Sequence, residues 1–413
     1  MGEAQPLARN RENDSAIRER VFVKDSSWTR PEGLAGPFTV IPALGLIVCL
    51  LFLASADDTN AAAPGFPSDT SPATCSQVNY GTPTPHPIGE AEANTVIAPP
   101  NPNGPTIVGA GFYVNDIRGI DPVTNQFKFR GYIRVLWCDP RLSFDPKVEG
   151  RSERIFMGEH AERERARMWF PSGYPVNRVG ELGSSERILR IRHDGTVEQS
   201  INVSVLLSSQ YDLRRFPFDR QTLELQVESF VWDRDHLQFT HDESISGFSE
   251  GIAIPEWNID AVIGQVKDVS VMRSNTPFSR YVLEVEITRK PGFYLWKVFL
   301  PLVVIVALSW SVFWMTDERF SSRSRISSTG VLTIVAYQFV FAKDLPRLGY
   351  LTLLDQIMIG SFILLAVTVF ESLLVDRASQ TDPLKAIQID RTSRWLFPVV
   401  YATLLGAIGL SAG

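Results

Sequence analysis

The last third of the chain contains four closely spaced apolar segments, and the second of them is interrupted by polar residues. The four segments span about residues 293–315, 321–342, 351–375 and 395–411, and each is long enough to cross a bilayer. The second reads SSRSRISSTGVLTIVAYQFVFA, with Ser, Thr, Arg and Gln inside it. Polar side chains in a membrane segment are costly, so they usually face a protein interior or a water-filled path.

One side of this second predicted helix collects an ordered set of residues. Steps of four, three, four, three and four connect Arg325, Thr329, Leu332, Ala336, Phe339 and Lys343. At 100° per residue, these positions lie within about 80° of one helix face. The face is polar at its start, small or apolar in its middle and cationic at its end, which favours a helix that lines a pore. The alternative is a bundle helix that buries hydroxyl groups against its neighbours, which leaves Arg325 unexplained.

Between about residues 105 and 290, apolar and polar residues alternate, and Gly, Pro and Asp separate the alternating stretches. QFKFRGYIRVLWCD and QTLELQVESFVWD are two examples, both rich in β-branched and aromatic residues. Several such strands at this spacing predict an immunoglobulin-like β-sandwich. A charged stretch at about 159–169, EHAERERARMW, is the exception and is predicted to be helical.

An apolar run and a low-complexity stretch precede the predicted sandwich. The run at 38–54 follows an Arg-rich lead and is followed by Ser55-Ala56, so residues 1–56 are predicted to be a signal peptide or an uncleaved signal anchor. Residues 57–104 are rich in Pro, Ala and Thr, and they are predicted to be a flexible linker. A disulfide between Cys75 and Cys138 is possible in an oxidising compartment, but the position of Cys75 in this linker argues against it.

Basic residues between the predicted spans set the orientation of the chain. Arg319 lies between the first and second spans and Arg323 lies at the start of the second, while four further Lys and Arg residues lie between the third and fourth. The positive-inside rule puts both loops in the cytoplasm. We therefore expect a multi-pass protein of the plasma or inner membrane, with its sandwich facing the outside or the periplasm.

Composition argues against several other classes of protein. The net charge is −6 over 413 residues, and no basic run with interleaved aromatics appears, so nucleic-acid binding is not expected. The five histidines have no metal-ligand spacing. Neither a Ser-His-Asp order nor a phosphate-binding glycine loop is present in the sequence. We therefore predict that the protein is not an enzyme and needs no cofactor and no metal.

Four motifs then occur in a fixed order along the chain. They are WCDPR at 137–141, YDLRRFPFDRQ at 211–221, RKPGFY at 289–294 and DLPR at 344–347. In this order they resemble the pentameric ligand-gated ion channels, also called the Cys-loop receptor superfamily. Ser208 and Thr222 stand where animal members have the two cysteines of the defining disulfide, so the chain is similar to the prokaryotic type. The resemblance implies a ligand-gated ion channel: a homopentamer of β-sandwiches on an all-α, four-helix membrane domain.

The resemblance also implies a ligand site between neighbouring sandwiches. In this family an aromatic box binds amines by cation–π attraction. The residues that match it are Glu228, Phe230, Trp232, Phe278 and Phe170. Glu228 would pair with an ammonium group, which indicates a small-molecule agonist such as a primary amine. Gating by protons or by an anionic ligand stays open.

The coupling residues of the family lie at the junction of sandwich and helices. The matching positions are Phe216, Pro217, Phe218, Asp219, Arg289 and Pro346. Asp219 and Arg289 match a buried ion pair, and Pro217 and Phe218 would press on Pro346.

The gate and the choice of inorganic ion depend on the pore face. Five copies of Leu332 and of Phe339 would form two apolar rings that exclude water and ions. Asp317 and Glu318 precede the helix while Arg325 lies within it, which leans towards anions without excluding cations. The competing hypothesis is a non-conducting receptor or adhesion protein, a β-sandwich anchored among membrane lipids.

Overall fold

The computed structural model describes residues 74–76, 78, 80, 97–243, 246–249, 251–272, 275–315, 320–341 and 346–412. All of these residues belong to one compact unit, Ala61–Gly413. The predicted signal segment 1–56, most of the predicted linker 57–104, and the residues Lys343, Asp317 and Glu318 lie outside the described residues.

The first half of the described chain folds into two sheets that face each other across an apolar core. The strands are β1 (Thr106–Asp121), β2 (Gln126–Cys138), β3 (Glu153–Met157), β4 (Gly173–Pro175), β5 (Gly183–Arg192), β6 (Thr196–Ser208), β7 (Arg220–Ser229), β8 (Leu237–His241), β9 (Gly247–Phe248), β10 (Trp257–Val269) and β11 (Phe278–Arg289). One sheet has the order β3-β5-β6-β2-β1-β8, with β9 beside β1, and the other has the order β10-β11-β7-β4. This is the predicted β-sandwich.

The alternation of residue types explains how each sheet finds its inner face. In β2, Phe127 and Phe129 are buried while Lys128 and Arg130 between them are exposed, as the period of two requires. Trp137, at the end of β2, packs edge-on against Trp169 with ring centroids 5.9 Å apart. Large buried aromatic side chains dominate the core and supply most of its hydrophobic stabilisation.

A disulfide between Cys75 and Cys138 ties the segment before the sandwich to the end of β2, with an S–S distance of 2.04 Å. The expectation that the flexible composition around Cys75 argues against this bond is therefore wrong. The backbone N–H of Cys75 donates to the hydroxyl of Thr196, 3.1 Å away. The composition around Cys75 did not reveal the bond because Cys138 lies 63 residues further along the chain.

Besides a short 3-10 helix at Pro140–Leu142, six helices follow the strands or interrupt them within the described residues. They are α1 (Pro146–Glu149), α2 (Gly158–Arg165), α3 (Gly292–Trp314), α4 (Phe320–Phe341), α5 (Leu353–Thr381) and α6 (Pro383–Ala412). The predicted charged helix at about 159–169 is present as α2, but it ends at Arg165, and residues 166–169 are not helical. Between α5 and α6 only Asp382 is non-helical, so the stretch between the third and fourth predicted spans is helical almost throughout.

Three helices of the described chain are long and apolar enough to cross a membrane: α3, α5 and the part of α6 up to Leu410. The 22-residue α4 does not reach that apolarity, in keeping with its polar interruptions. At the start of α5, the Thr352 hydroxyl accepts the Asp355 N–H while the Asp355 carboxylate accepts the Thr352 N–H. This capping box fixes where α5 begins.

Candidate pore helix, gating junction and ligand loops

The helix α4 has two faces with different surroundings in one subunit. Its exposed residues include Leu332 and Phe339, at 70% and 71% exposure, together with Arg325, Thr329 and Ala336. Its buried residues, again spaced by four, three and four, are Arg323, Ser327, Gly330 and Ile334. The predicted pore residues therefore lie on the face of α4 that points away from the other helices of its own subunit.

Two arginines near the start of α4 have opposite environments. Arg323 is only 3% exposed and donates to the Asp390 carboxylate of α6 at 2.6 and 2.9 Å. It also reaches the Glu371 carboxylate of α5 at 3.4 Å. Arg325 is two residues further along, which turns it about 200° around the helix, and it is exposed. Arg323 thus ties three helices together, while Arg325 stays on the exposed face.

Close packing and one unusual hydrogen bond hold α4 against α3. Gly330 lies where a Cβ would collide with the Ser309 side chain, so only glycine allows this approach of the two helices. Pro301 has no N–H to donate to the Lys297 carbonyl four residues earlier. The Tyr337 hydroxyl of α4 donates to that carbonyl instead, at 2.7 Å.

Hydroxyl groups on the exposed face are satisfied by the helix itself. The Thr329 hydroxyl donates to the Arg325 carbonyl at 2.7 Å, and the Thr333 hydroxyl donates to the Thr329 carbonyl at the same distance. Threonine can therefore sit on this face without a partner from another helix.

At the junction between sandwich and helices, a buried arginine is enclosed by one carboxylate and several rings. The Arg289 guanidinium donates to Asp219 at 2.7 and 3.2 Å, and both side chains are almost fully buried. The guanidinium also lies 4.0 Å from the centroid of Trp257 and 4.9 Å from that of Phe216. The ion pair implied by the resemblance is thus present between β11 and the end of the FPFD turn, whose Phe216–Pro217 peptide is cis.

The same turn contacts the membrane helices directly. The Phe216 ring packs edge-on against Tyr294 of α3 at 4.7 Å, and Phe218 lies 6.5 Å from Phe299 between ring centroids.

Hydrogen bonds continue this junction towards α5. The Tyr350 hydroxyl accepts the Leu213 N–H at 3.1 Å, and the Leu353 N–H donates to the Arg214 carbonyl at 2.9 Å. Pro346 is half-buried in the linker that precedes these contacts. Sequence reasoning did not identify Tyr350, although it lies in the same linker.

The predicted ligand residues have unequal surroundings. Glu228 is buried and accepts two hydrogen bonds from Arg280, at 2.7 and 2.9 Å. Phe230 is 65% exposed, whereas Phe278 is only 3% exposed in this subunit. The carboxylate proposed to meet an ammonium group is therefore already paired with a guanidinium.

The remaining two predicted ligand residues are joined to each other. The Trp232 indole N–H donates to the Phe170 carbonyl at 2.9 Å. The Arg165 guanidinium lies 4.8 Å from the Phe170 ring centroid, so the protein's own cation covers one face of that ring.

Sequence reasoning missed two residues of these loops, Arg280 and Tyr174. Both are register partners of Glu228, Arg280 on β11 and Tyr174 on β4. Tyr174 also packs against Phe230, with ring centroids 6.0 Å apart. Only the register of the sheet brings them together, and single-sequence patterns do not determine it.

Comparison with known proteins gives one family and several relatives. Residues 92–291 match the family described as neurotransmitter-gated ion-channel ligand binding domain. The chain is 25% identical over 309 residues to a proton-gated ion channel of Gloeobacter violaceus, covering 74% of this chain and 84% of that protein. It is 27% identical over 263 residues to pH-sensitive chloride channel 2 of Anopheles gambiae, covering 60% of this chain and 42% of that protein.

Proposed function

We propose that this chain, which belongs to the pentameric ligand-gated ion-channel family, forms a homopentameric channel that protons open and anions cross. It is a membrane ion channel and not an enzyme. The proposal has four parts: α4 lines the pore, protons are the agonist, anions are the permeant ions, and the signal passes through the junction of sandwich and helices.

The observation that carries the proposal is the division of α4 into two faces. Exposed Leu332 and Phe339 alone could face lipid, as the exposed Phe370 and Leu374 of α5 could. Arg325 and Thr329 are exposed on the same stripe, and polar side chains facing lipid are costly. Around a five-fold axis the same stripe lines a central path, and its apolar rings hold the path closed by excluding water. The buried face through Arg323 holds the helix in this orientation.

Three observations support protons over an amine as the agonist. Two relatives carry names that describe response to protons or pH. The Glu228 carboxylate is occupied by Arg280 within its own subunit. The Phe170 ring is covered by Arg165. An amine agonist remains the second candidate, because the exposed Phe230 beside Tyr174 could still receive one.

An anion-conducting pore is supported by the exposed Arg325. Five copies would place a ring of positive charge near the cytoplasmic end of the path, where such rings select anions. One relative is also named as a chloride channel.

In the proposed gating step, protons shift a closed–open equilibrium by binding one state more tightly than the other. The shift would reach α3 and α5 through the turn Phe216–Asp219 and Arg289. Tyr350 and Leu353 would receive it at the start of α5.

The test is to reconstitute the full chain in liposomes or express it in oocytes, and to record current in asymmetric chloride during acid steps and an amine panel. An acid-evoked current that reverses near the chloride potential is expected. Reversal at the cation potential would discard the anion proposal, and a response to amines alone would discard the proton proposal. Silence to both, with a Leu332→Ser variant also silent at the cell surface, would favour a non-conducting receptor.

A further inference from the structure

Among the histidines of the described chain, His241 alone is buried; His160, His193 and His236 are exposed. It is the last residue of β8, before the loop that leads to β9. A buried histidine is unusual because its pKa normally lies close to neutral pH, where it can gain a charge.

The His241 imidazole is enclosed by groups from both sheets. Its Nδ1 lies 2.7 Å from the Tyr281 hydroxyl of β11, and the two rings stack with centroids 5.8 Å apart. Gly264 of β10 lies so close that a Cβ there would collide with the His241 ring and the Tyr281 hydroxyl. The ring is thus held by β8, β10 and β11 without space to turn.

Burial lowers the pKa of His241, and the nearby carboxylates Asp242 and Glu243 act in the opposite direction. Burial likewise raises the pKa of Tyr281, so this partner stays a neutral phenol. Of the strands around the ring, β10 contributes Gly264. The adjacent strand β1 pairs with His241 through the backbone of Ala110. In this conformation the imidazole is therefore neutral at neutral pH.

Protonation changes what this packing can satisfy. Both nitrogens of an imidazolium carry hydrogen, so Nδ1 can only donate to the Tyr281 oxygen. The Tyr281 hydroxyl must then donate to another group, and Ser246 lies within hydrogen-bonding reach of it. The new positive charge is buried, and the nearby carboxylates Asp242 and Glu243 offset only part of that cost.

The direction of the pH effect follows from the lowered pKa. A conformation in which His241 is solvated binds protons more tightly than the one described here. As pH falls through the ordinary histidine pKa of about 6.5, the described conformation loses stability relative to the solvated one.

The strands around His241 lead to the membrane junction. Gly264 and Trp257 are seven residues apart on β10, which corresponds to roughly 23 Å of strand. Tyr281 and Arg289 lie on β11, and Trp257 is the register partner of Arg289. The strands that enclose the imidazole therefore end at the ion pair that contacts the helices.

We propose that His241 is a proton-binding site through which acid shifts this channel between its conformations. The proposal rests on proton gating as the proposed function, and it adds the group that takes up the proton. The proton comes from water and binds one imidazole nitrogen, with no other bond made or broken.

The experiment compares wild type, His241→Gln and His193→Gln by the pH of half-maximal acid-evoked current. Glutamine keeps hydrogen-bonding groups at each position. Its amide does not titrate between about pH 4 and 8, whereas histidine has an ordinary pKa of about 6.5. We expect His241→Gln to move the midpoint to lower pH by about one unit, a tenfold change in proton concentration, or to abolish the response. His193→Gln, the exposed control, should match wild type.

An unchanged midpoint in His241→Gln, with wild type still opened by acid, would overturn this site and leave the proposed function intact. A wild-type channel that ignores acid but opens with an amine would overturn both. If His241→Gln does not reach the membrane, hydrogen exchange of the wild-type protein decides. Backbone amides at β8 and the adjacent part of β10 should lose protection as pH falls, after correction for intrinsic rates, and constant protection would contradict the proposal.

Discussion

On α4, the face through Arg323 and the face through Arg325 start two residues apart. They differ in burial and in the groups that their side chains contact. Arg323 is buried and hydrogen-bonded to one carboxylate on each of two other helices. Arg325 is exposed, and no carboxylate among the described residues forms a hydrogen bond with it. Polar residues in a membrane helix therefore serve two purposes here. Some of them anchor the helix in its subunit, and others lie on the surface that we propose meets water.

The largest effect is expected from removing the anchor. Arg323→Gln leaves Glu371 and Asp390 buried without their cation, which should destabilise the fold by about 3–5 kcal/mol, as breaking a buried ion pair does. Thermal unfolding in detergent would measure the loss. Arg325→Gln is the matched control and should unfold like wild type. Equal stability of the two variants would remove the distinction between the faces.

A strong effect on current without loss of stability is expected at the exposed face. Leu332→Ser replaces five apolar side chains of the proposed ring by hydroxyls, so water should enter and basal current at neutral pH should rise at least several-fold. Current at constant surface expression would measure it. Leu374→Ser makes the same replacement at an exposed position of α5 and should leave the channel closed. Basal current in both variants would point to general loosening rather than a gate.

The choice of ion should respond to Arg325 in a graded way. Arg325→Glu reverses five charges at one level of the proposed path, so the reversal potential should move from the chloride value towards the cation value. Arg391→Glu, at an exposed position of α6, is the control for charge alone. A reversal potential that stays at the chloride value in Arg325→Glu would place selectivity elsewhere.

The smallest effect is expected where α4 meets α3. Tyr337→Phe removes the donor to the Lys297 carbonyl that Pro301 leaves without an N–H. The cost should be about 1 kcal/mol, the net value of one hydrogen bond. Thermal unfolding would again measure it, with Tyr350→Phe as a comparison at a tyrosine whose hydroxyl accepts a hydrogen bond from the Leu213 N–H. A loss as large as that of Arg323→Gln would mean that this bond anchors the helix as strongly as the ion pair does.

Periodicity predicted the architecture and the exposed stripe because both depend on local spacing. The alternation in β2 and the three-and-four spacing from Arg325 to Phe339 are properties of consecutive residues, and the structure places those residues accordingly. The Asp219–Arg289 pair came from resemblance and is also present.

Features that depend on distant partners could not be predicted in this way. Arg323 and Asp390 are 67 residues apart, and Glu228 meets Arg280 across 52 residues. The disulfide of Cys75 was judged from its surroundings, whereas its partner lies 63 residues away. These pairings depend on register and helix packing, which a single sequence leaves open.

Single cysteines along α4, probed with a charged, water-soluble thiol reagent, test directly whether the exposed stripe lines the pore. Cysteines at Thr329, Leu332 and Ala336 should react from the aqueous path and change the acid-evoked current, while cysteines at Ser327 and Ile334 should not react in folded channels. Equal reactivity on both faces, or reaction confined to the buried face, would contradict the assignment of the exposed stripe to the pore.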